Sequence, residues 1–411
     1  MGSEGNDPQA SLRPNTPQLA LALTGGGARA AYQVGCLRYI AGAFPDFHPE
    51  IITGVSAGAI NAAHLASSTR SMRGAVERLH ALWLNIGTEQ VYRVDARSLA
   101  SHVLGWGARL VSGGRSFRPG LRGMVDTSPL RHFLTANLPH DQEGVLVNIA
   151  NNLEQGRLNA VAISTTSYET GRSITWVQGN SMTAWTRRDR ASVHTSLSIE
   201  HVMASAALPV FFPAVNLEGT WQGDGGIRLT APLSPAVHLG ATKVLAVSPR
   251  YLPPPSQVHL QRGNPYPTPA RIAGVLMNSV FLDMLDHDEL QMQRINELLR
   301  AMPANAHGNL RHVDVLILRP SRDLAALAGA FEVKLPKLFR FLQRGLGTRQ
   351  TRGADALAMV MFEQGYLSRL VALGEEDASA RHAEIDAFLH APQQEGIAAI
   401  ANYSRVGTTR P

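Results

Sequence analysis

Two short apolar runs, each followed by a glycine-containing turn and a helical pattern, constrain the fold of this chain more than any other feature. The first run covers 18–24 and leads through three glycines into a helical pattern over 29–43. The second run, 51–55, leads into a helix of small residues over 57–67. Buried strands that alternate with helices in this order are typical of a parallel sheet with helices packed on it. We therefore expect an α/β fold with a mostly parallel central sheet.

The second turn carries a serine, in the sequence Gly54-Val55-Ser56-Ala57-Gly58. Glycine on either side lets the chain turn sharply between strand and helix, so that the hydroxyl points outward as in a nucleophile elbow. The dipole of the following helix favours negative charge near that hydroxyl. The pattern by itself is weak, because a Gly-Ser turn that caps a helix looks the same. Its place between strand and helix favours Ser56 as a nucleophile, with Gly54 and Gly58 forming the elbow.

The first turn contains three consecutive glycines, Gly25, Gly26 and Gly27, followed by Ala28 and Arg29. Consecutive glycines let several backbone N–H groups converge on one anion. An oxyanion hole and a dinucleotide-binding loop both use this geometry. Dinucleotide binding also needs an acidic residue at the end of the second strand, where this chain has the serine turn. The pattern therefore favours an oxyanion hole.

A third feature is an aspartate among glycines, Gly223-Asp224-Gly225-Gly226, which follows a predicted pair of short strands over 215–223. An aspartate in such a turn can approach a substrate closely, but Asp-Gly turns between strands are common. Asp224 is therefore a candidate only in combination with the serine turn and the glycine loop.

No histidine is well placed to complete a Ser-His-Asp triad with these residues. His238 lies in a helical segment and is expected to pack there; His259 and His287 are the next candidates. His64 lies two turns, or about 12 Å, along the helix that follows the serine, and is expected to point away from it. A serine–aspartate dyad is favoured.

Together the three motifs resemble those of the patatin-like phospholipases, in which a G-G-G-x-R-G loop, a G-x-S-x-G turn and a distal D-G-A/G follow in this order. Residues 204–209 (Ala-Ser-Ala-Ala-Leu-Pro) are similar to the family's A-S-x-A-x-P segment. The resemblance covers residues 19–250 and departs at Ala30, where the family most often has glycine. It implies a three-layer fold, in which a mostly parallel central sheet is flanked by helices.

The resemblance also implies a role for each motif. Ser56 is the nucleophile and Asp224 the base of a dyad that cleaves carboxylic ester bonds of phospholipids or related lipids, with no cofactor. The oxyanion-hole loop comprises Gly25, Gly26, Gly27, Ala28 and Arg29. Gly225 and Gly226 complete the D-G-A/G motif. Because an ordinary aspartate is a poor base, we expect Asp224 to be partly desolvated, with a raised pKa.

Two other functions stay open. The chain could be a dinucleotide-binding oxidoreductase that uses the glycine loop, or a catalytically silent protein of the same fold that binds lipid. Arg29 also has two interpretations: it orients the loop or binds a lipid phosphate, or it is an ordinary arginine on a helix surface.

The chain is expected to have three parts. We predict a disordered tail over 1–17, a patatin-like phospholipase domain over 18–320 with its motif core at 19–250, and a helical C-terminal region over 321–411. Further strands are predicted over 158–167, 173–179, 243–248 and 313–318. Predicted helices include one with Ser128 as its N-cap and two over 351–373 and 380–390.

Charge and composition restrict the partners. The net charge is +6 and the basic residues are almost all arginines, without the patch of basic and aromatic residues that marks a nucleic-acid binder, so no nucleic acid partner is expected. One segment, 96–125, has no acidic side chain and combines arginines with Trp106 and Phe117. This composition suits a lid or a membrane contact, and a solvated loop is the alternative.

Cys36 is the single cysteine, which excludes an intrachain disulfide. No secretory signal or membrane-spanning run is apparent, and no His/Cys/Asp cluster has metal-ligand spacing. We expect a cytoplasmic protein without metal, with peripheral membrane contact as an option. Head group, acyl-chain length, sn position and oligomeric state do not follow from the sequence.

Overall fold

The computed structural model describes residues 18–93, 123, 125–180, 184–253, 284–308, 310–329, 331 and 358–391. The predicted tail over 1–17 and nearly all of the 96–125 segment lie outside these residues. Within them the chain forms a mixed α/β fold, in which a mostly parallel sheet lies between helices. The predicted fold class is confirmed.

A nine-stranded sheet forms the centre of the described part of the chain. The strands are β1 (Leu19–Leu23), β2 (Ile51–Val55), β3 (Ala160–Ser167), β4 (Ser173–Gly179), β5 (Arg190–His194), β6 (Val215–Leu217), β7 (Thr220–Asp224), β8 (Lys243–Val247) and β9 (Asp314–Leu318). Their order is β5-β4-β3-β2-β1-β8-β9, and β7 pairs with both β3 and β6. The pairs β1–β2, β1–β8, β2–β3, β4–β5 and β8–β9 are parallel. The pairs β3–β4, β3–β7 and β6–β7 are antiparallel.

Helices follow most of the strands. They are α1 (Ala31–Ala43), α2 (Ala57–Ala66), α3 (Met72–Asn85), α4 (Thr88–Val91), α5 (Ser128–Asn137), α6 (Val147–Glu154), α7 (Ile199–Ser205), α8 (Ser234–His238), α9 (Met284–Ala301), α10 (Leu324–Gly329), α11 (Gln364–Ala380) and α12 (His382–His390). Short 3-10 turns occupy Gly27–Ala30, before α1, and Gly225–Ile227, after β7.

Alternate residues of β1 face opposite layers of the molecule. Leu21 and Leu23 belong to a large apolar core with residues of α1–α3, α5–α7 and α10–α12. Ala20 and Ala22 belong to a second core with residues of α8 and α9. A strand that is buried on both faces needs apolar residues at every position, which explains the uninterrupted apolar run of β1. The sheet therefore lies between two layers of helices.

The strand order reverses at β1, which lies between β2 and β8. In parallel sheets a crevice opens at the carboxyl ends of the strands at such a point. Gly25 lies two residues beyond the end of β1, and Ser56 directly follows β2. Asp224 ends β7 and pairs with Thr165 of β3, the neighbour of β2. The topology thus brings all three sequence motifs to one edge.

Helix α11, from the C-terminal part of the chain, packs closely on α1. A Cβ atom at Gly35 would overlap the carbonyl group of Val371, and one at Gly374 would overlap the carbonyl group of Tyr32. Only glycine at both positions lets the two backbones come this near. The C-terminal helices therefore share the core of the sheet region.

The prediction that Ser128 is an N-cap is wrong. Thr127 holds that position, and Ser128 is the first residue of α5. Both the backbone N–H and the hydroxyl of Ser128 donate to Asp126 Oδ1, at 2.9 and 2.5 Å. The local turn made by Asp126 therefore shifts the start of the helix by one residue.

The predicted helix over 351–373 is wrong in its centre and at its end. Residues 361–363 are not helical, and α11 begins at Gln364 and continues to Ala380. The Glu363 carboxylate accepts the N–H of Tyr366 at 3.0 Å, which caps the new helix. Strand β5 was not predicted, because its alternation of polar and apolar residues is short and lies next to a turn.

Candidate active site

Ser56 lies in a strained turn between β2 and α2. Its backbone has φ 57° and ψ −129°, a region that non-glycine residues rarely adopt and that costs on the order of 1–3 kcal/mol. The Ser56 N–H donates to Ser205 Oγ at 2.9 Å, and Ser205 Oγ donates to the carbonyl oxygen of Ser164 at 2.7 Å. These bonds connect the turn to β3 and to the end of α7, and so hold the strained conformation in place.

The two glycines of the serine turn allow close packing of α2 on the sheet. A Cβ atom at Gly58 would overlap the carbonyl group of Leu23 at the end of β1. A Cβ atom at Gly54 would lie 2.6 Å from the Cβ atom of Ala62. Both contacts are shorter than side chains allow, so the G-x-S-x-G pattern here is a steric requirement of the turn.

Asp224 is in direct contact with Ser56. The Ser56 hydroxyl donates to Asp224 Oδ2 at 2.6 Å, and the N–H of Gly226 donates to Oδ1 at 2.8 Å. A Cβ atom at Gly225 would overlap the carbonyl group of Ser164, so the turn after Asp224 needs glycine at that position. Two motifs that lie far apart in the sequence thus meet in one hydrogen bond.

The Asp224 carboxyl group has no exposed surface. Burial raises its pKa to about 7, although the hydrogen bonds from Ser56 and Gly226 act in the opposite direction. The prediction of a desolvated aspartate with a raised pKa is confirmed. A carboxylate with this pKa can accept a proton near neutral pH far better than an exposed aspartate.

The glycine loop lies directly against the serine. A Cβ atom at Gly25 would be 2.9 Å from the Cβ atom of Ser56. Gly27 has φ 57°, and a Cβ atom there would overlap the carbonyl group of Met359, from the C-terminal part of the chain. The N–H of Arg29 donates to the carbonyl oxygen of Gly26 at 3.2 Å and is therefore used within the turn. The amides of 25–28 are the candidates for an oxyanion hole.

Arg29 is buried, with 3% of its surface exposed. The interpretation of an arginine on a helix surface is therefore wrong. Ala30, where the family most often has glycine, is fully buried in the turn before α1.

A buried polar network below the glycine loop was not predicted from the sequence. Gln33 Nε2 donates to the carbonyl oxygens of Thr24 at 2.7 Å and Val247 at 3.1 Å. Asn61 Nδ2 donates to Gln33 Oε1 at 2.9 Å, and Trp83 Nε1 donates to Asn61 Oδ1 at 2.7 Å. The chain of bonds joins the ends of β1 and β8 to α1, α2 and α3, and thereby fixes the loop that begins at Thr24.

An apolar pocket opens beside Ser56, on the side of α2. Its lining includes Ala57, Ile60, Leu79, Trp83, Leu130, Phe133, Leu134, Leu138, Leu208, Phe212, Met359, Val360 and Phe362. Among the described lining residues, those with a nitrogen or oxygen atom in the side chain are Ser56, His64, Trp83 and Asn137. The pocket was missed by sequence reasoning, because its walls come from four helices and from a segment near 360.

The histidines considered for a triad lie in other surroundings. His238 stacks on Trp185 with ring centroids 4.7 Å apart, and its Nδ1 lies 2.8 Å from the carbonyl oxygen of Ser234. His287 lies 3.0 Å from the side-chain amide of Gln291. His259 lies outside the described residues. The predicted packing of His238 is confirmed.

Two features are absent from the described part of the chain. No three His, Cys, Asp or Glu side chains there are arranged to hold a metal ion. None of the helices there combines the length and the hydropathy needed to cross a bilayer. The predicted lid or membrane contact at 96–125 lies almost entirely outside the described residues.

A serine on a strained turn, between a strand of a mostly parallel sheet and the helix that follows, is the arrangement of a nucleophile elbow. The chain belongs to the patatin-like phospholipase family, because the model of that family matches residues 21–237, more than half of the chain. The predicted family is thereby confirmed. None of the curated proteins compared with the sequence matches it.

Three solved structures illustrate the range of similar folds. VipD from Legionella pneumophila has 12% identity and a TM-score of 0.31, with 87% of this chain and 67% of that chain covered. Human GIVD cytosolic phospholipase A2 in complex with methyl gamma-linolenyl fluorophosphonate has 12% identity and a TM-score of 0.40, with 91% and 58% covered. The complex of full-length SpcU with full-length ExoU from Pseudomonas aeruginosa has 13% identity and a TM-score of 0.27, with 90% and 60% covered. The chain thus spans 58 to 67% of these chains, and family membership rests on the sequence match.

Proposed function

We propose that this protein is a lipid acyl hydrolase that cleaves carboxylic ester bonds of phospholipids or related lipids with a Ser56–Asp224 dyad. The observation that carries the proposal is the 2.6 Å hydrogen bond from Ser56 Oγ to the buried carboxylate of Asp224. A nucleophile and a base must be within this distance for proton transfer to accompany attack. No other base is required by the geometry.

The first step is acylation of the serine. Asp224 Oδ2 accepts the proton of the Ser56 hydroxyl while Oγ forms a bond to the ester carbonyl carbon, and the carbonyl electrons move onto its oxygen. When the tetrahedral intermediate collapses, the alcohol leaves and takes the proton from Asp224. In the second step Asp224 accepts a proton from water while the water oxygen attacks the acyl carbonyl carbon. When this second intermediate collapses, the bond to Ser56 Oγ breaks, Oγ takes the proton back from Asp224, and the fatty acid is released.

The oxyanion is stabilised by the backbone amides of 25–28. The position of Gly25 against Ser56 and the left-handed φ of Gly27 support this role, since both shape the loop around the reacting oxygen. Each such donor typically contributes about 2.7–4 kcal/mol of transition-state stabilisation. The N-terminal end of α2, which begins at Ala57, adds a favourable dipole.

The pocket favours an ester with a long hydrocarbon chain. Its walls are almost entirely aliphatic and aromatic, and it includes Ser56 itself. Burying a chain there contributes on the order of 25 cal/mol for each Å² of apolar surface removed from water. We also propose that the segment 96–125 contacts a lipid surface. The division of the chain into a domain over 18–320 and a helical region over 321–411 is likewise a proposal.

The test is hydrolysis of p-nitrophenyl decanoate by purified wild-type protein and two variants. Ser56→Ala removes the nucleophile and should lower kcat by about 10⁴-fold or more. Asp224→Asn keeps the shape but removes the base, and kcat/KM should fall by about 10²- to 10⁴-fold. A fluorophosphonate probe should label wild type at Ser56 and leave Ser56→Ala unlabelled.

Ser67→Ala is the matched control. Ser67 is a buried serine at the end of α2, and its hydroxyl donates to the carbonyl oxygen of Ala63 at 2.7 Å, outside the site. Its loss should leave kcat/KM within about twofold of wild type. Activity that survives in a folded Ser56→Ala protein contradicts the mechanism. A wild-type protein that neither cleaves esters nor takes the label supports a catalytically silent lipid-binding protein instead.

A further inference from the structure

One face of α2 extends along the pocket from the candidate nucleophile. Ser56, Ile60 and His64 are spaced by four residues, so they lie above one another on this face, and all three line the pocket. The rise of an α-helix places His64 about 12 Å from Ser56 along the helix axis. A chain whose ester lies at Ser56 and which follows α2 therefore reaches His64. His64 thus lines the same pocket as Ser56, two helical turns away along α2.

His64 is buried among hydrocarbon side chains, with 7% of its surface exposed. Its Nε2 atom lies 3.2 Å from the carbonyl oxygen of Ala75, on α3. A carbonyl oxygen can only accept, so Nε2 carries the hydrogen. Burial lowers the pKa of His64 to about 4, so the ring is neutral at neutral pH.

The second ring nitrogen of His64 is then an acceptor. In a neutral imidazole with hydrogen on Nε2, the Nδ1 atom presents a lone pair. No residue within the described ranges donates a hydrogen bond to Nδ1, and Nδ1 is not among the fully buried unpaired atoms of these residues, so it keeps some accessible surface. A plain hydrocarbon chain in the pocket would cover this acceptor and leave it unsatisfied, which is unfavourable in apolar surroundings. A hydroxyl group at the same place would satisfy it.

We infer that the pocket accepts an acyl chain that bears a hydroxyl group remote from the ester, and that this hydroxyl donates to His64 Nδ1. The inference rests on the proposed ester hydrolysis at Ser56 and adds the class of acyl chain. His64 in this role is a specificity-determining residue, which contacts the substrate but does not take part in bond cleavage. Asn137, whose Nδ2 donates to the carbonyl oxygen of Phe133 at 2.8 Å, is a second polar side chain in the lining.

The experiment compares paired esters in wild-type protein. p-Nitrophenyl esters of octanoic, decanoic, dodecanoic and tetradecanoic acid are each measured beside the ester of the corresponding ω-hydroxy acid. The ratio of kcat/KM, hydroxylated over plain, should peak at one chain length and reach about tenfold there, the effect of one satisfied buried acceptor. At shorter and longer lengths the hydroxyl does not meet Nδ1, and the ratio should fall below one.

Two variants at His64 and one control variant test whether the preference for the hydroxylated ester depends on the His64 side chain. His64→Leu removes the acceptor, so the ratio should stay below one at every chain length. His64→Gln keeps an acceptor and should retain part of the peak, which also covers the case that His64→Leu does not fold. Ile60→Val, on the same face of α2, should change the rates for both esters of a pair alike.

The outcomes separate this inference from the proposed function. If wild type cleaves plain esters but the ratio shows no peak, or if His64→Leu keeps the peak, the hydroxyl inference is overturned and ester hydrolysis stands. If wild type cleaves none of the esters, both the hydroxyl inference and the proposed ester hydrolysis are overturned. A peak in wild type that is reduced in His64→Gln and absent in His64→Leu supports the inference.

Discussion

The two sides of Ser56 are built in different ways. On one side lie Asp224 and the glycine turns, where the serine N–H, its hydroxyl and both carboxylate oxygens all have hydrogen-bond partners. On the other side lies the pocket, whose described walls are almost wholly hydrocarbon. Hydrogen bonds are directional, whereas apolar contacts depend on area and shape. The polar side should therefore respond sharply to single-atom changes, and the apolar side gradually.

The largest effect in this comparison should come from Gly27→Ala, which changes the polar side with one methyl group. Alanine would have to adopt φ 57° and would overlap the carbonyl group of Met359. The loop must shift, and a displacement of about 1 Å at a reacting centre can cost about 10²-fold in rate. We expect kcat/KM for p-nitrophenyl decanoate to fall by about that factor.

Gly42→Ala is the control for the extra methyl group. Gly42 lies in α1, where a Cβ atom would have no neighbour within 4 Å. Alanine is favoured over glycine within a helix, so this variant should be as active as wild type and slightly more stable. If Gly27→Ala keeps full activity, the loop is not held as tightly as its contacts imply.

A second expected effect, also on the polar side of Ser56, is a dependence of kcat/KM on pH. Because burial raises the pKa of Asp224 to about 7, the base is protonated below that pH, and kcat/KM should fall about tenfold for each pH unit below it. The residual activity of Asp224→Asn should not show this fall at low pH. His64 is not its source, since burial lowers the pKa of His64 to about 4. A wild-type profile that is flat between pH 5 and 8 would exclude Asp224 as the base.

The raised pKa of Asp224 also predicts that the free energy of unfolding falls as the pH rises, whereas the activity increases. The folded state holds the Asp224 proton more tightly than the unfolded state, whose pKa is near the ordinary 3.8. This contribution to the free energy of unfolding is fully present below about pH 4 and is lost as the pH rises to about 7. Denaturant unfolding of wild type and Asp224→Asn at both pH values measures it. Activity and stability thus move in opposite directions over this range.

The smallest effect should come from Phe362→Ala, on the apolar side. Phe362 lines the pocket and stacks on Trp83 with ring centroids 6.4 Å apart. Removing the ring enlarges the pocket without touching the dyad, so the ratio of kcat/KM for p-nitrophenyl hexadecanoate over decanoate should rise about fivefold. The rate with p-nitrophenyl acetate should stay near that of wild type.

Phe388→Ala is the matched change outside the pocket. Phe388 lies on α12 and packs against the edge of the main core. Its loss should lower stability and leave the chain-length ratio unchanged. An equal change in the ratio for both variants would mean that the pocket walls do not select chain length.

The contrast between the polar side and the apolar side of Ser56 also explains which parts of the site could be predicted from the sequence. Ser56, Asp224 and the three glycines were identified because each lies in a short motif whose geometry is fixed by neighbours in the chain. The role of Ser205, which accepts from the Ser56 N–H, did not follow from its motif, because the contact spans 149 residues. Catalytic roles for these residues stay a prediction until the variants are measured.

Long-range packing accounts for the remaining differences. Strand β5 depends on its pairing with β4, which local periodicity does not show. The pocket and His64 were not predicted as one site, because the walls come from α2, α3, α4, α5 and a segment near 360. An apolar wall has no signature beyond hydrophobic residues, which any core also contains.

The contact between Gly27 and Met359 has a consequence for biosynthesis. On the ribosome, the serine, the glycine loop and the aspartate are all made more than a hundred residues before Met359. Until that segment and α11 emerge and pack on α1, the nascent chain contains Ser56 and Asp224 but lacks one wall of the pocket. Completion of the pocket therefore depends on segments translated well after Ser56 and Asp224, and a chain that terminates before Met359 would leave its apolar walls incomplete and exposed to solvent.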